Sequence, residues 1–325
     1  MQVYGTIKQV SLSGRSSVAL GYFDGLHIGH AAVIGCALQG AKSGLIPCVF
    51  TFTMHHVHPA GKSIENEIIT DSEKYYILKK WGVKAVLSPD FSEFKDMSPA
   101  EFVDEVLVRR LHAGAVCCGN DFRFGQHASA DVQKLAALCG ERGIKLNIVP
   151  AVTCQGERVS STRIRELLGA GEVEAAAAML GRAFSYNFTV VQGKQLGRKI
   201  DSPTINQHMP ADFVKLKYGV YASVTMADGE LKPSVTNIGV RPTTDTDTAV
   251  YSETYIYGFS GNLYGKNVEV RLLQFIRSEQ KFSSVDALRA QIYTDTQSAV
   301  PIAERYIENK ERICMHALQL GNTML

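Results

Sequence analysis

Short apolar runs alternate with segments of helical periodicity over roughly the first 180 residues. The runs predict strands and the segments between them predict helices. The predicted strands are Val18–Gly21, Pro47–Thr53, Val83–Ser88, Ala115–Gly119 and Ile144–Val149, and the predicted helices are His30–Ser43, Ser72–Trp81, Pro99–Leu111 and Asp131–Arg142. Because continuous apolar strands alternating with helices are typical of a parallel sheet covered on both faces, we expect an α/β domain here.

The pattern changes after about Gly181, where aromatic and β-branched residues begin to alternate with polar ones. Antiparallel strands that close into a small barrel are predicted, with helices in the tail. The strands are Tyr186–Gln192, Val220–Met226, Leu231–Ile238, Tyr251–Tyr257 and Val268–Phe275, the helices are Val285–Tyr293 and Pro301–Gln319, and Asp228-Gly229 is a hairpin turn. We therefore expect two domains, residues 1–182 and 183–325.

Composition narrows the function classes. The 325 residues are 45% hydrophobic and 20% charged, which is typical of a globular protein, and the net charge of +2 gives no basic field for nucleic acid. No apolar run approaches the roughly 18–20 residues that span a bilayer, and no signal peptide is indicated. Seven scattered cysteines, with Cys117 and Cys118 interpreted as core thiols, favour a reducing compartment. We expect a cytoplasmic protein without nucleic-acid or membrane partners.

The segment Gly21–His30 joins the first core strand to a helix and contains two histidines three residues apart. A helix start presents unpaired N–H groups and a positive dipole end, which favour an anionic ligand. His27 and His30 would add donors to phosphate oxygens, and Gly29 would let the backbone approach closely. The alternative is that the histidines cap or pack, but two glycines and an aspartate are poor choices for a simple helix entry.

Two further segments agree with a phosphate site. Gly119–Gly125 follows a later core strand, and parallel strands place their carboxyl ends at the edge where ligands bind. In Ser160–Arg165 the simpler interpretation is a helix N-cap. The functional one is that the Ser161 and Thr162 hydroxyls and the Arg165 guanidinium, on one helix face, hold a triphosphate.

Taken together, these motifs resemble the bifunctional prokaryotic riboflavin kinase / FAD synthetase family. Each motif is moderately specific, whereas their order and spacing along nearly the whole chain are very specific. Besides the segments above, the resemblance rests on Leu180–Arg182, Gly197-Arg198, Pro203–Asn206, Gly239–Thr243, Leu263–Gly265 and Arg277–Phe282.

For the N-terminal half, the resemblance implies a Rossmann-like nucleotidyltransferase domain that acts as an FMN adenylyltransferase. FMN phosphate would attack the α-phosphate of ATP, giving FAD and pyrophosphate, with Mg²⁺ bridging phosphate oxygens. The chemistry needs positioning and charge neutralisation more than a covalent nucleophile. The implied catalytic residues are His27, His30 and Arg165, and the implied ligand-binding residues are Gly21, Phe23, Asp24, Asp121, Ser161 and Thr162.

For the C-terminal half, the resemblance implies a riboflavin kinase that transfers the γ-phosphoryl group of ATP. Glu253 would be the general base for the 5′-hydroxyl of the ribityl chain, and Thr204 and Asn206 would hold Mg²⁺ and the ATP phosphates. Taken alone, Pro203–Asn206 would be a turn, and Glu253 an exposed strand position. The implied cofactor-binding residues are Gly193, Lys194, Gly197 and Arg198 in a loop over the nucleotide, Arg241, and Arg277 at the flavin-phosphate end.

The chain departs from the family pattern in two places. Asp201-Ser202 replaces a Gly-Phe pair, which removes a flexible residue and an aromatic surface from a loop, and His55–His58 lies where the family usually carries Asp-Pro-His-Pro. Three histidines there suggest a metal site, but no cysteine or carboxylate lies at ligand spacing, so a solvated loop is favoured.

The leading hypothesis is an enzyme that converts riboflavin to FMN and FMN to FAD, with ATP as co-substrate. One alternative retains a single activity and uses the other domain to bind flavin. A hypothesis from another class is a non-catalytic flavin sensor that controls riboflavin genes. The sequence shows neither the basic stripe nor the helix-turn-helix pattern that such a DNA-binding protein would need. The sequence leaves a homo-oligomer open.

Overall fold

The computed structural model describes residues 1–54, 66–193, 204–244 and 247–323, with side chains left undescribed in 241–244, 247–248 and 310–323. The chain divides into two compact units. The first comprises Met1–Ile64, Asp71–Ser160 and Gln319–Leu325, and the second comprises Glu65–Thr70 and Ser161–Leu318. The division after residue 182 stays a prediction.

The first unit contains a six-stranded sheet, in which every neighbouring pair is parallel. The strands are β1 (Gln2–Tyr4), β2 (Ser16–Leu20), β3 (Ile46–Phe50), β4 (Ala85–Leu87), β5 (Ala113–Gly119) and β6 (Lys145–Val149), in the order β1-β4-β3-β2-β5-β6. The predicted parallel sheet is confirmed. Strand β1 was not predicted, because it is three residues long and mostly exposed and so has no apolar run.

Helical segments follow most strands of this sheet. They are α1 (Ile28–Gln39), α2 (Asp71–Trp81), α3 (Pro99–Glu101), a π-helical segment (Phe102–Arg110) and α4 (Val132–Glu141). Short 3-10 turns lie at Ile7–Gln9, Gly40–Ser43, Phe91–Glu93 and Gln126–Ala128. After β6, a small hairpin is formed by β7 (Thr153–Cys154) and β8 (Glu157–Arg158). The predicted helix over 99–111 is present but begins as α3 and continues as the π-helical segment. Its start is set by a capping box between Ser98 and Glu101, with Pro99 as the first helical residue.

An apolar core packs against the sheet. It combines strand residues such as Leu20 and Val116 with residues of the π-helical segment such as Leu107, and Phe50 packs edge-on against Phe102. Burying each aliphatic side chain of this size contributes about 1.5–3 kcal/mol. Apolar burial on the sheet therefore explains why the strands form continuous apolar runs in the sequence.

The second unit contains two short helices, a barrel and a long helix. These elements are α5 (Ser161–Ala170), α6 (Val173–Leu180), β9 (Phe184–Val191), β10 (Thr204–His208), β11 (Gly219–Ala227), β12 (Glu230–Thr244), β13 (Asp247–Ile256), β14 (Asn267–Arg277) and α7 (Val285–Thr323). The barrel is closed in the order β10-β13-β12-β11-β14-β9, and its neighbouring strands are antiparallel. The hairpin turn is confirmed, since Asp228 and Gly229 have φ values of 49° and 83°.

One strand of this unit was not predicted, and one prediction about its tail needs correction. The residues after Pro203 form strand β10, whereas a turn was the alternative interpretation of Pro203–Asn206 taken alone. The tail is one helix, α7, with Pro301 inside it, where two helices were predicted. Proline removes one backbone hydrogen bond from a helix. Ala299 and Ala303, on either side of Pro301, are fully buried against the barrel, and this packing stabilises the continuous helix. Among the described helices, none has the length and hydropathy needed to cross a membrane.

Polar side chains fill much of the barrel interior. Ser223 Oγ lies 2.8 Å from the hydroxyl oxygens of both Ser234 and Thr236, and Thr236 Oγ1 lies 2.9 Å from Thr254 Oγ1. Thr225 Oγ1 donates to Ser234 Oγ at 2.8 Å. All of these residues are buried, so the hydroxyl groups satisfy one another in the absence of solvent.

Candidate active sites

The loop after β2 has an unusual backbone. Phe23 and Leu26 adopt positive φ values of 56° and 43°, which are uncommon for residues with a side chain, and Gly25 lies at 81°. A Cβ atom on Gly21 would lie only 2.8 Å from the Phe23 ring, so the loop needs glycine there. Phe23 is buried and meets the His30 ring edge-on at 5.2 Å between centroids. Gly21 and Phe23 therefore shape the loop, and their direct contact with a ligand stays a prediction.

The two histidines of this segment lie at the start of α1. His27 is the N-cap, and its Nδ1 accepts a hydrogen bond from the His30 backbone N–H at 3.2 Å. The two rings stack with their centroids 3.5 Å apart. A Cβ on Gly29 would come within 3.1 Å of the His27 ring, so glycine leaves room for that ring. Because Nδ1 accepts, a neutral His27 carries its proton on Nε2, which makes that atom the donor that the ring can offer to a ligand.

The loops after β2 and β5 are neighbours. Strand β2 pairs with β5 on one side and with β3 on the other, which makes the β2–β5 boundary a switch point of the sheet, where open α/β sheets bind ligands. Asp24 in the first loop is buried. Asp121 in the second loop is exposed and forms an ion pair with Arg158. The expectation that these two motifs share an edge of the sheet agrees with this pairing.

Ser161, Thr162 and Arg165 lie in the first turns of α5, in the second unit. Thr162 is exposed, while Ser161 and Arg165 are half-buried. Arg165 Nε donates to the backbone carbonyl of Asn66 at 2.7 Å, which holds the guanidinium at one position. Their role in binding phosphate stays a prediction.

On the barrel, Glu253 pairs in register with Asn206 on one side and with Asn237 on the other. The flanking Ser252 and Thr254 are buried among the interior hydroxyl groups, so the alternation of side chains along β13 places Glu253 on the outer face. Paired residues of antiparallel strands lie on the same face. The barrel therefore brings a carboxylate and two amides together on its outer wall.

Asn206 combines deep burial with an amide oxygen that has no partner within the described part of the chain. The residue is 6% exposed, and its Oδ1 accepts no hydrogen bond from the residues that the structure describes. A Cβ on Gly193 would lie 2.5 Å from Asn206 Nδ2, so only glycine lets the chain pass over this amide. Thr204 precedes Asn206 by two positions on β10 and shares its face. An amide oxygen and a hydroxyl are oxygen ligands of the kind that Mg²⁺ prefers, so these residues fit the predicted metal.

Arg277, at the end of β14, is held by several partners. Its Nε and Nη2 atoms donate to Asp295 of α7 at 3.0 and 2.7 Å, and Nη1 donates to the Ser278 carbonyl at 3.0 Å. Asp295 is buried and also accepts a hydrogen bond from Gln291. Arg277 therefore ties α7 to the barrel, and its predicted contact with the flavin phosphate stays a prediction.

Several predicted residues lie outside the described part of the chain, namely Lys194, Gly197, Arg198, Asp201-Ser202 and the His55–His58 stretch. Arg241 lies on β12, and its side chain is not described. Within the described residues, no group of three or more histidine, cysteine, aspartate or glutamate side chains could hold a metal.

The sequence reasoning missed Asn237 and Asp295. Asn237 lies beside Glu253, and its Nδ2 donates to Glu279 Oε1 at 3.3 Å. The sequence feature that could have identified Asn237 is its position two residues before Gly239, the first residue of the Gly239–Thr243 motif. Residues two apart in a strand lie on the same face. Asp295 is 18 residues from Arg277 in the chain and carried no local signal.

Comparison with known proteins covers both units. The FAD synthetase family matches residues 10–163, and the riboflavin kinase family matches residues 180–302. The chain is 36% identical to the bifunctional riboflavin kinase/FMN adenylyltransferase of Listeria monocytogenes over 86% of this chain and 90% of that protein. It is 33% identical to the protein of the same name from Bacillus subtilis over 91% of this chain and 93% of that protein.

One solved structure resembles the whole fold. The crystal structure named macrolide-efflux protein from Streptococcus pneumoniae superimposes with a TM-score of 0.81 and 28% identity, covering 91% of this chain and 97% of that chain. The two family matches occur in the same order as the sheet unit and the barrel unit, and the curated relatives match over nearly their full length. The chain belongs to the bifunctional riboflavin kinase/FMN adenylyltransferase family.

Proposed function

We propose that the barrel unit phosphorylates riboflavin to FMN and that the sheet unit adenylylates FMN to FAD, each with its own ATP. The observation that carries this proposal is the pair of family matches, one to a riboflavin kinase and one to an FAD synthetase, in a single chain. Family membership supports the bifunctional enzyme over the alternatives of a single activity or a flavin sensor.

In adenylyl transfer, an FMN phosphate oxygen attacks the α-phosphorus of ATP, and the bond to the β-phosphate oxygen breaks. We assign phosphate binding to His27 Nε2, to His30 and to the N–H groups at the start of α1, because donors that point at the site of developing charge stabilise the transition state. The stacked rings and the hydrogen bond from His30 N to His27 support this assignment, since both fix the donors before the substrate binds.

The adenylyl-transfer proposal also includes residues that the family resemblance implies. We assign ATP phosphate oxygens to Ser161, Thr162 and Arg165, and a flavin or metal contact to Asp24 and Asp121. The exposed position of Thr162 and the fixed guanidinium of Arg165 are consistent with binding an anion. Gly21 and Phe23 keep the loop in its strained conformation.

In the kinase, Glu253 takes the proton of the riboflavin 5′-hydroxyl as that oxygen attacks the γ-phosphorus of ATP. Asn206 Oδ1 and Thr204 Oγ1 would hold Mg²⁺, which would neutralise charge on the phosphates. The buried amide oxygen, which has no partner among the residues that the structure describes, supports the role of Asn206. We assign nucleotide binding to Gly193, Lys194, Gly197 and Arg198, as the family resemblance implies. We assign flavin-phosphate contacts to Arg241 and Arg277.

The proposal extends to the setting of the enzyme. We propose a cytoplasmic enzyme with small-molecule substrates and no nucleic-acid or membrane partner, divided into functional domains after residue 182. The modest net charge of +2 and the scattered cysteines support this setting. A homo-oligomer is compatible with it.

The test is to incubate the purified protein with riboflavin, ATP and Mg²⁺ and to separate the flavins over time. FMN should appear first and FAD should follow, and a chelator should stop both reactions. FMN without FAD would exclude adenylyl transfer, and the absence of FMN would exclude the kinase. Supplying FMN directly tests the second step without the first.

A further inference from the structure

Two cysteines far apart in the sequence meet between α1 and β5. The Sγ atoms of Cys36 and Cys117 lie 2.9 Å apart, whereas a disulfide bond is about 2 Å long. Cys36 is partly exposed, and Cys117 is fully buried. A small displacement of either side chain would therefore bring the two sulfur atoms to bonding distance, and solvent can reach only the Cys36 side.

The surroundings make the two thiols chemically different. The Cys117 S–H donates to Cys36 Sγ, and Asn147 Nδ2 donates to Cys117 Sγ at 3.6 Å. The hydrogen bond from Cys117 lowers the pKa of Cys36, and the Lys145 charge acts in the same direction against the effect of burial. The bond to Cys36 and burial raise the pKa of Cys117. Cys36 is thus the thiol that more readily becomes a nucleophilic thiolate, and Cys117 stays protonated beside it.

The neighbouring cysteines lack this arrangement. Cys118 follows Cys117 on β5 and belongs to the apolar core on the sheet, and burial raises its pKa to about 12. Cys48 lies in the same core, and burial likewise raises its pKa to about 12. Cys154 is partly exposed but lies in the β7–β8 hairpin. Among the described cysteines, only Cys36 has both exposure to solvent and a thiol within hydrogen-bonding distance.

We propose that Cys36 and Cys117 form an oxidation site at which a hydroperoxide reacts with Cys36 and Cys117 then closes a disulfide. Neither thiol has a part in the two ATP-dependent transfers described above, so the site is separate from the proposed function. The modification would link α1, which begins with the two histidines, to the strand that precedes Asp121.

The chemistry balances in two steps. The Cys36 thiolate attacks one peroxide oxygen, an S–O bond forms, the O–O bond breaks, and the other oxygen leaves as alcohol or water after taking a proton from solvent. Cys36 is oxidised by two electrons to sulfenic acid, and the peroxide is reduced. The Cys117 sulfur then attacks the sulfenic sulfur, an S–S bond forms, and hydroxide leaves with the Cys117 proton as water.

The test treats the full-length protein with hydrogen peroxide and analyses its intact mass and its peptides. The wild type should lose two hydrogen atoms and yield a peptide pair joined through Cys36 and Cys117, which a thiol reductant separates. Cys117→Ser should stop at the sulfenic acid, so dimedone should label Cys36 in this variant. Cys36→Ser should lose the disulfide, while the matched control Cys154→Ser should behave like the wild type.

Three results would overturn the proposal. One is a wild-type protein in which dimedone labels Cys36 stably and no disulfide forms, because Cys117 would then not be a resolving thiol. The second is a disulfide that persists in Cys36→Ser. The third is a peroxide reaction at Cys154 that is as fast as the reaction at Cys36. The dimedone reaction of Cys117→Ser measures the reactivity of Cys36 directly, so it tests the proposal even if Cys36→Ser folds less stably than the wild type.

Discussion

The two units differ in the kinds of side chain that they bury in their interiors. The sheet unit buries aliphatic and aromatic side chains on a parallel sheet, as in the packing of Phe50 against Phe102. The barrel unit has apolar clusters too, but it also buries a chain of hydroxyl groups that includes Ser223, Thr236 and Thr254. Apolar packing tolerates small shifts, whereas each buried hydroxyl depends on a specific partner.

The two candidate sites also differ in the kind of element that carries them. In the sheet unit, the histidines lie in a strained loop at the end of β2, outside the apolar core. In the barrel unit, Asn206 and Glu253 lie on the strands themselves. They are on the outer face of the barrel wall, and the hydroxyl groups are on its inner face. A loop site depends on local backbone geometry, whereas a wall site depends on the register between strands. The predictions below separate these two kinds of site.

The largest effect is expected for Glu253→Gln. The amide keeps the shape of the side chain but cannot accept the hydroxyl proton, so FMN formation should fall by about 10²- to 10⁴-fold. FAD formation from supplied FMN should be unchanged. The measurement is the rate of each product by flavin chromatography.

A matched control for that variant is Glu230→Gln, which removes an exposed carboxylate at the β11–β12 hairpin. Equal losses of kinase activity in the two variants would contradict a special role for Glu253.

His30→Ala should reduce FAD formation by about 10²- to 10³-fold, because it removes both a phosphate donor and the ring that stacks on His27. The kinase rate should be unchanged. The control is His112→Asn, at an exposed histidine with φ of 45°, a conformation that asparagine tolerates. A parallel loss of FMN formation in His30→Ala would argue against separate sites.

Gly193→Ala tests the backbone that crosses Asn206. The added Cβ would lie 2.5 Å from Asn206 Nδ2 and should displace the amide, so the kinase rate should fall by about tenfold and the Mg²⁺ requirement should rise. The comparison variant is Gly140→Ala, whose Cβ would meet nothing within 4 Å. A Mg²⁺ titration of the kinase reaction measures both effects, and an unchanged titration curve would remove Asn206 from the proposed metal site.

The smallest effect is expected for Thr236→Val, which replaces one buried hydroxyl by a methyl group. Ser223 and Thr254 each lose one hydroxyl partner but keep another, Ser234 and Ser252 respectively. Because both neighbours keep a partner, the free energy of unfolding of the barrel should decrease by about 0.5–1.5 kcal/mol, the net contribution of a typical hydrogen bond. Urea unfolding followed by hydrogen exchange in the barrel strands measures this change. Thr189→Val, on the exposed face of β9, should change it by less than about 0.5 kcal/mol. An equal cost in both variants would mean that the interior hydroxyl chain has no particular importance.

Much of the fold could be predicted because burial leaves a local pattern. Strands such as β2 and β5 form apolar runs, and the Asp228-Gly229 turn has a residue pair specific to its geometry. Strand β10 could not be predicted, because it begins directly after Pro203 and contains the rest of a motif that, taken alone, is typical of a turn. The continuous helix α7 could not be predicted because its packing against the barrel is a tertiary effect.

The residues of the candidate sites were named from sequence motifs and their roles stay predictions, whereas the geometry that surrounds them could not be predicted. The His27–His30 pair could be found because both residues lie in one short motif. The pairing of Asn206 with Glu253 and Asn237 depends on the register of strands that are distant in sequence. The passage of Gly193 over Asn206 depends on the same closure of the barrel. Non-local contacts of this kind leave no periodicity in the sequence.

The most direct test of two independent sites is a mixture of the Glu253→Gln and His30→Ala proteins with riboflavin, ATP and Mg²⁺. Neither variant alone should form FAD from riboflavin at an appreciable rate. The mixture should form FAD, because FMN released by His30→Ala can be adenylylated by Glu253→Gln. A mixture that forms no FAD, although each variant retains its own half-reaction, would contradict the account.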